Sequence, residues 1–164
     1  MTKNSLICYT NPSNLVYIFL VGIMKLSTKA RYGLNACIYL AEHYDDGFVS
    51  VSELSKSTGT TEGYLEQIMA LLKKADVVLT QRGAAGGYRL SAEPDCISVG
   101  KVLRAVEDDL KIIDCLSEEC GSECRCKSRP VWVKLYENIN RYLDTMNLKE
   151  LITEPSEGEG EETK

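Results

Sequence analysis

The sequence predicts a mainly α-helical domain carrying one small β-hairpin, followed by a long C-terminal helix. Three observations carry that prediction. Apolar residues recur at helical spacing in several separate stretches from Leu26 to Met146. The stretch with strand character, Val77-Val-Leu-Thr80, is answered by Tyr88-Arg-Leu90 across a glycine-rich tip. Four of the seven cysteines fall between Cys115 and Cys126, just ahead of the long helix.

Length and composition frame these elements. A chain of 164 residues suits a single domain with a real core. Its hydrophobic content of 44% and charged content of 26% are those of a globular protein. Seven cysteines, an odd number, argue against complete internal pairing and for a reducing, cytoplasmic setting. The net charge of −5 is unevenly spread. Residues 153–164 hold five glutamates against one lysine, whereas residues 24–90 carry eight Lys/Arg against seven Asp/Glu. The total therefore does not exclude nucleic acid as a partner.

Residues 1–23 stand apart. Lys3 is their only charge, and Leu15–Ile23 is an apolar run too short for a membrane-spanning helix. A single lysine and no A-x-A-like site make a poor signal peptide. The segment is read as a start-site extension ahead of Met24, or else a flexible arm, and no membrane partner is expected.

From Leu26 a helix is predicted, capped by Ser27 or Thr28, with Leu26, Ala30, Leu34, Cys37, Ile38 and Ala41 on one face. Cys37 falls on that face as a buried thiol. His43 ends the helix, and Asp45-Asp46-Gly47 turns the chain. Ser50-Val-Ser-Glu53 has the form of a capping box before a short helix that Gly59 breaks. Thr60 or Thr61 then caps a helix over 62–75, whose buried stripe is Leu65, Ile68, Met69 and Leu72. A short helix, a tight glycine turn and a longer amphipathic helix form a helix-turn-helix. The hairpin that follows is the wing of a winged helix. Its tip lacks GxxxxGK[ST] and a following helix, so it is no nucleotide loop.

Ser91–Cys96 is a connecting loop in which Cys96 is expected to pack. Ser98 caps a helix to about Glu107. Cys115, Cys120, Cys124 and Cys126 then follow with spacing C-x4-C-x3-C-x-C, a set of soft ligands suited to an iron–sulfur cluster or zinc. Pro130 opens the long helix. Trp132, Leu135, Ile139, Tyr142 and Met146 alternate three and four apart, a seam for its own domain or for a second copy. A short helix over 147–152 and an acidic, disordered tail over 153–164 complete the chain.

At this point the sequence resembles the bacterial iron–sulfur, nitric-oxide and cysteine-metabolism regulators of the IscR/NsrR/CymR family (Rrf2 type). The resemblance covers residues 24–152. It rests on Met-Lys-Leu-Ser-Thr-Lys-Ala-Arg-Tyr-Gly-Leu34, Tyr64-Leu-Glu-Gln67, Arg82-Gly-Ala-Ala-Gly-Gly-Tyr88 and Val131-Trp132. It implies a homodimeric winged helix-turn-helix protein, probing double-stranded DNA with dyad symmetry through residues 24–92. Residues 93–152 would form the sensor loop and dimerisation helix of the same domain.

By position, Tyr64, Glu66 and Gln67 match the recognition helix and Arg82 the wing arginine. Thr28, Lys29 and Arg31 are placed with the DNA contacts, the two cations on phosphates. Gln67 suits adenine and Glu66 suits cytosine N4. Glu66 also repels phosphates and so rejects wrong sequences.

Counted back from Trp132, Cys126 and Cys120 match two of the family's cluster cysteines, and Cys115 is displaced by one residue from the third. The usual histidine ligand falls at Arg129, and the acidic ligand of the nitric-oxide sensor falls at Arg31. Cys124 is the natural substitute. The resemblance thus implies a cluster, 2Fe–2S in preference to 4Fe–4S, with zinc behind both. Two other functions remain open on the residues alone. One is a metal-free regulator answering to thiols or to a sulfur-metabolism enzyme partner. The other is an iron–sulfur redox protein without specific DNA binding. Catalysis is not expected, because His43 is the only histidine and no cysteine has an evident base.

Overall fold

The computed structural model describes residues 27–83, 86–107, 110 and 126–153. Its order is α1 (Thr28–Glu42), a 3₁₀ turn (Tyr44–Asp46), α2 (Val51–Thr58), α3 (Glu62–Lys74), β1 (Val78–Gln81), β2 (Gly87–Leu90), a second 3₁₀ turn (Pro94–Cys96), α4 (Val99–Val106), α5 (Arg129–Thr145) and α6 (Leu148–Thr153). The mainly α architecture with one hairpin wing is the one expected.

Local chemistry sets most boundaries. Ser27 caps α1, its hydroxyl accepting from the Ala30 N–H at 3.2 Å. Ser50 and Ser98 do the same for α2 and α4. Gly59 closes α2 in the left-handed region at φ 69°, which a Cβ would disfavour. Two expectations are refined. Thr61 stands at the α3 N-cap without a side-chain hydrogen bond. The capping box is half made: the Glu53 carboxylate accepts from Tyr39 Oη at 2.9 Å instead of turning back to Ser50.

One core serves all these elements. Ala30, Ala36, Cys37 and Leu40 of α1 meet Leu65, Ile68, Met69 and Leu72 of α3, and Val102, Leu103 and Val106 of α4 close the third side. Leu54, Val78, Leu90 and Leu148 extend the core under α2, the hairpin and α6. Burial of these apolar side chains, at roughly 1.5–3 kcal/mol each, is the main stabilising term.

The hairpin pairs Val78 with Leu90, Leu79 with Arg89, Thr80 with Tyr88 and Gln81 with Gly87. A further bridge joins it to the helices: Val49 N–H donates to Tyr88 O at 2.9 Å, and Tyr88 N–H to Val49 O at 2.8 Å. A Cβ at Gly87 would overlap the Val49 carbonyl, so this approach requires glycine. The wing is thereby fixed to the start of α2.

Cys96 departs from expectation. It is exposed at the end of the Pro94 turn, because that turn sends Ile97 inward with no exposed surface. A hydrogen bond to Asp95 and the charges of Asp95 and Glu93 hold its thiol above the ordinary value.

Candidate nucleic-acid interface and thiol site

The N-terminal parts of α1 and α3 are joined by aromatic rings. Tyr32 meets Tyr64 edge-on, with centroids 6.1 Å apart and planes at 85°. The Arg31 guanidinium lies 5.2 Å from the Tyr32 ring centroid, a cation–π contact that orients the side chain without consuming its N–H donors. Thr28 and Arg31 are exposed, Lys29 and Tyr64 half-buried. Tyr64 thus serves as a partly packed joint as well as a contact candidate. Glu66 and Gln67 are exposed on α3, because Leu65, Ile68 and Met69 take the buried positions around them.

Between α3 and the hairpin runs a groove of about 550 Å³, lined among others by Glu66, Lys73, Thr80, Gln81, Arg82 and Tyr88. Glu66 faces the wing: burial first, and then the Glu66 charge, push the Tyr88 phenol above its ordinary value. The groove therefore brings together Glu66 and Arg82, which the sequence placed in separate motifs. Gln67 does not line it. Lys73, Thr80 and Gln81 were not among the expected contact residues. Lys73 had a signal, since it lies seven residues, two helical turns, after Glu66 on α3.

Of the four expected cluster cysteines, Cys126 is described, whereas Cys115, Cys120 and Cys124 lie outside the described residues. Cys126 precedes the first turn of α5. Its Sγ lies 3.2 Å from Ser128 Oγ. That hydrogen bond, the backbone N–H groups of Ser128 and Arg129, and the Arg129 charge hold the thiol below its ordinary value. A thiol lowered in this way fits soft-metal ligation, and equally fits direct thiol chemistry. Among the described residues no three potential ligands come together.

One link was invisible to sequence reasoning. Glu107 Oε1 accepts from the Ser27 N–H at 3.1 Å and from the Ser27 hydroxyl. It connects the cap of α1 to the residue that ends α4.

Comparison with known proteins agrees with the fold. The family described as Rrf2, iron-dependent transcriptional regulator, matches residues 26–154. An HTH-type transcriptional regulator IscR from Aliivibrio salmonicida is 37% identical over 132 residues, 80% of this chain and 79% of the relative. The HTH-type transcriptional regulator CymR of Bacillus subtilis is 34% identical over 130 residues, 79% of this chain and 91% of the relative. Among solved structures, CymR, the global cysteine regulator of B. subtilis, superposes with a TM-score of 0.67 at 32% identity, covering 79% of this chain and 96% of that one. T. potens IscR superposes with a TM-score of 0.66 at 34% identity, covering 85% and 93%.

Proposed function

The chain belongs to the Rrf2 family of transcriptional regulators, DNA-binding proteins and not enzymes, and from that premise we propose that it binds a dyad-symmetric operator as a homodimer and senses iron–sulfur or redox status through its cysteine segment. The observation that carries the DNA half is the groove shared by Glu66 and Arg82, with the Arg31–Tyr32–Tyr64 joint linking α1 to the same helix α3. Thr28, Lys29 and Arg31 hold phosphates, Gln67 reads adenine, and Glu66 accepts from cytosine while repelling misplaced phosphates. Arg82 enters the minor groove beside the wing.

The dimer forms along α5, where Val131 is 61%, Leu135 40% and Tyr142 61% exposed in the single chain. Pairing there sets the distance between two recognition helices, which must match half-sites about 34 Å apart.

Cys115, Cys120, Cys124 and Cys126 hold the cluster in this reading, and the position of Cys126 beside the Ser128 hydroxyl and the start of α5, which lowers its thiol, supports it. When bound, the cluster supplies a centre that responds to iron supply, oxidation and nitric oxide. The residues of this chain supply the thiolates, the α4 and α5 ends on either side of them, and the DNA contacts.

The test is anaerobic purification from iron-replete cells, followed by iron, sulfide and zinc analysis and by operator binding of loaded and stripped protein. Coloured protein whose visible absorbance disappears on Cys→Ser substitution at 115, 120, 124 or 126 is the expected result. Colourless, iron-free protein overturns the cluster half.

The same Cys126 favours a second reading. A thiol held below its ordinary value beside the Ser128 hydroxyl can react with oxidants without any metal, and the chain is 34% identical to a CymR as well as 37% identical to an IscR. DNA affinity would then respond to oxidant or to a sulfur-metabolism enzyme, with no dependence on iron.

A further inference from the structure

We infer that Glu107 is a positioning residue through which the cysteine segment sets the DNA-contacting turn of α1. The inference rests on the regulator reading above and adds the physical connection within it.

The connection is a short hydrogen-bonded chain between residues 80 apart in sequence. Glu107 Oε1 accepts from both the backbone N–H and the hydroxyl of Ser27. Ser27 Oγ in turn accepts from the Ala30 N–H at 3.2 Å. The directions are fixed by chemistry: a carboxylate only accepts, so the Ser27 hydroxyl hydrogen points to Glu107 and its lone pair remains for Ala30. An ionised acceptor strengthens both bonds, and its charge sits at the favourable positive end of a helix of 15 residues. Ser27 therefore caps α1 best when Glu107 holds it. Thr28, Lys29 and Arg31 follow immediately.

Glu107 stands at a boundary. It is outside α4, with extended backbone at φ −112° and ψ 135°, while its own N–H still donates to Leu103 O at 2.9 Å. α4 itself is held firmly: Val99, Val102, Leu103 and Val106 are buried, and Arg104 reaches Asn140 and Asp144 of α5. The chain leaves this fixed helix at Glu107 and runs on to Cys115. Leu110 packs against the same core beyond Glu107. Among the described residues ahead of the cysteines, Glu107 is the last one hydrogen-bonded to the cap of α1, so a displacement carried along the chain to Glu107 reaches Ser27 through its carboxylate.

Hydrogen exchange on the full chain tests this, read at the Ala30 and Arg31 amides. Glu107→Ala and Ser27→Ala should each accelerate exchange at Ala30 by about fivefold, the scale of a lost cap. The double variant should exchange no faster than either one. Glu107→Gln retains an acceptor oxygen and should recover most of the protection.

The coupling is read by comparing iron-and-sulfide-loaded chain with iron-stripped chain. The unsubstituted protein should show different protection at Ala30 and Arg31 in the two states, and Glu107→Ala should abolish that difference. Operator affinity should follow: the loaded-to-stripped ratio, expected at about fivefold or more from ordinary coupling strengths, falls toward one in Glu107→Ala. A state-dependent difference that persists in Glu107→Ala overturns the proposal alone. So does equal protection in both states of a chain shown to carry iron and sulfide. A chain that takes up neither overturns the cluster reading and this coupling together.

Discussion

Cys37 is the most deeply buried ionisable side chain with a resolved shift, and burial pushes its thiol from 9.0 to about 12. The sign of the consequence follows from linkage. The thiol is neutral in both folded and unfolded chains below pH 9.0, so stability is unaffected there. Above that value the unfolded thiol ionises and the folded one does not, so stability falls until the folded thiol ionises near 12. Between those limits the slope approaches about 1.4 kcal/mol per pH unit. Urea unfolding at pH 8, 9.5 and 10.5 should show this loss, and Cys37→Ala should flatten it. Tyr39 and Tyr88 are also raised and act in the same direction at higher pH, so the slope specific to Cys37 is the difference between the two proteins. On the DNA side, Gln67→Ala should cost about 1–3 kcal/mol at one base position and relax the preference there. Selection from a randomised operator pool measures this, and an unchanged preference would remove Gln67 from the reading set.

The elements differ in how completely the single chain satisfies them. α3 buries Leu65, Ile68, Met69 and Leu72, and leaves Glu66 and Gln67 exposed. The wing is held by its own register and by the Val49–Tyr88 bridge, so Arg82 projects from a braced strand end. α5 is different: none of its residues is fully buried, and three of its large apolar side chains are exposed. Arg104 anchors it to α4, while Val99 N–H to Met146 O at 2.9 Å and Leu148 N–H to Ile97 O at 3.0 Å anchor its far end. The helix is thus held in place with its seam still uncovered. Leu135→Glu and Tyr142→Glu together should give a folded monomer by sedimentation and circular dichroism. Operator affinity should fall by ~100-fold with the loss of bivalent engagement. A dimer that survives both charges would place the interface elsewhere.

At the scale of the molecule, charge is divided between parts with different tasks. The helices and wing are close to neutral over residues 24–90, while residues 154–164 hold five glutamates and one lysine. That tail repels DNA over a Debye length, about 8 Å at physiological salt. Truncation after Thr153 should therefore raise the association rate with DNA a few-fold at low salt, with the gain vanishing at ~0.5 M salt. Stopped-flow association at two salt concentrations tests it, and a rate indifferent to the tail would show that only local charges steer binding. No helix among the described residues is long and apolar enough to cross a membrane.

The sequence by itself determined the order of elements, because helix periodicity, serine caps and glycine stops act within a few residues. Ser27, Ser50, Ser98 and Gly59 end up where local chemistry sends them. It also proposed Glu66, Gln67 and Arg82 as DNA contacts through the family resemblance, and Cys126 as a ligand through its spacing. Only the tertiary structure decided what meets across the fold. It turned Cys96 outward, diverted Glu53 to Tyr39, set Tyr32 against Tyr64, and brought Glu66 and Arg82 to one groove. Above all it joined Ser27 to Glu107. Contacts between residues so far apart leave no periodic trace, since they are set by how the core packs α1 against α4 and not by any neighbour in sequence.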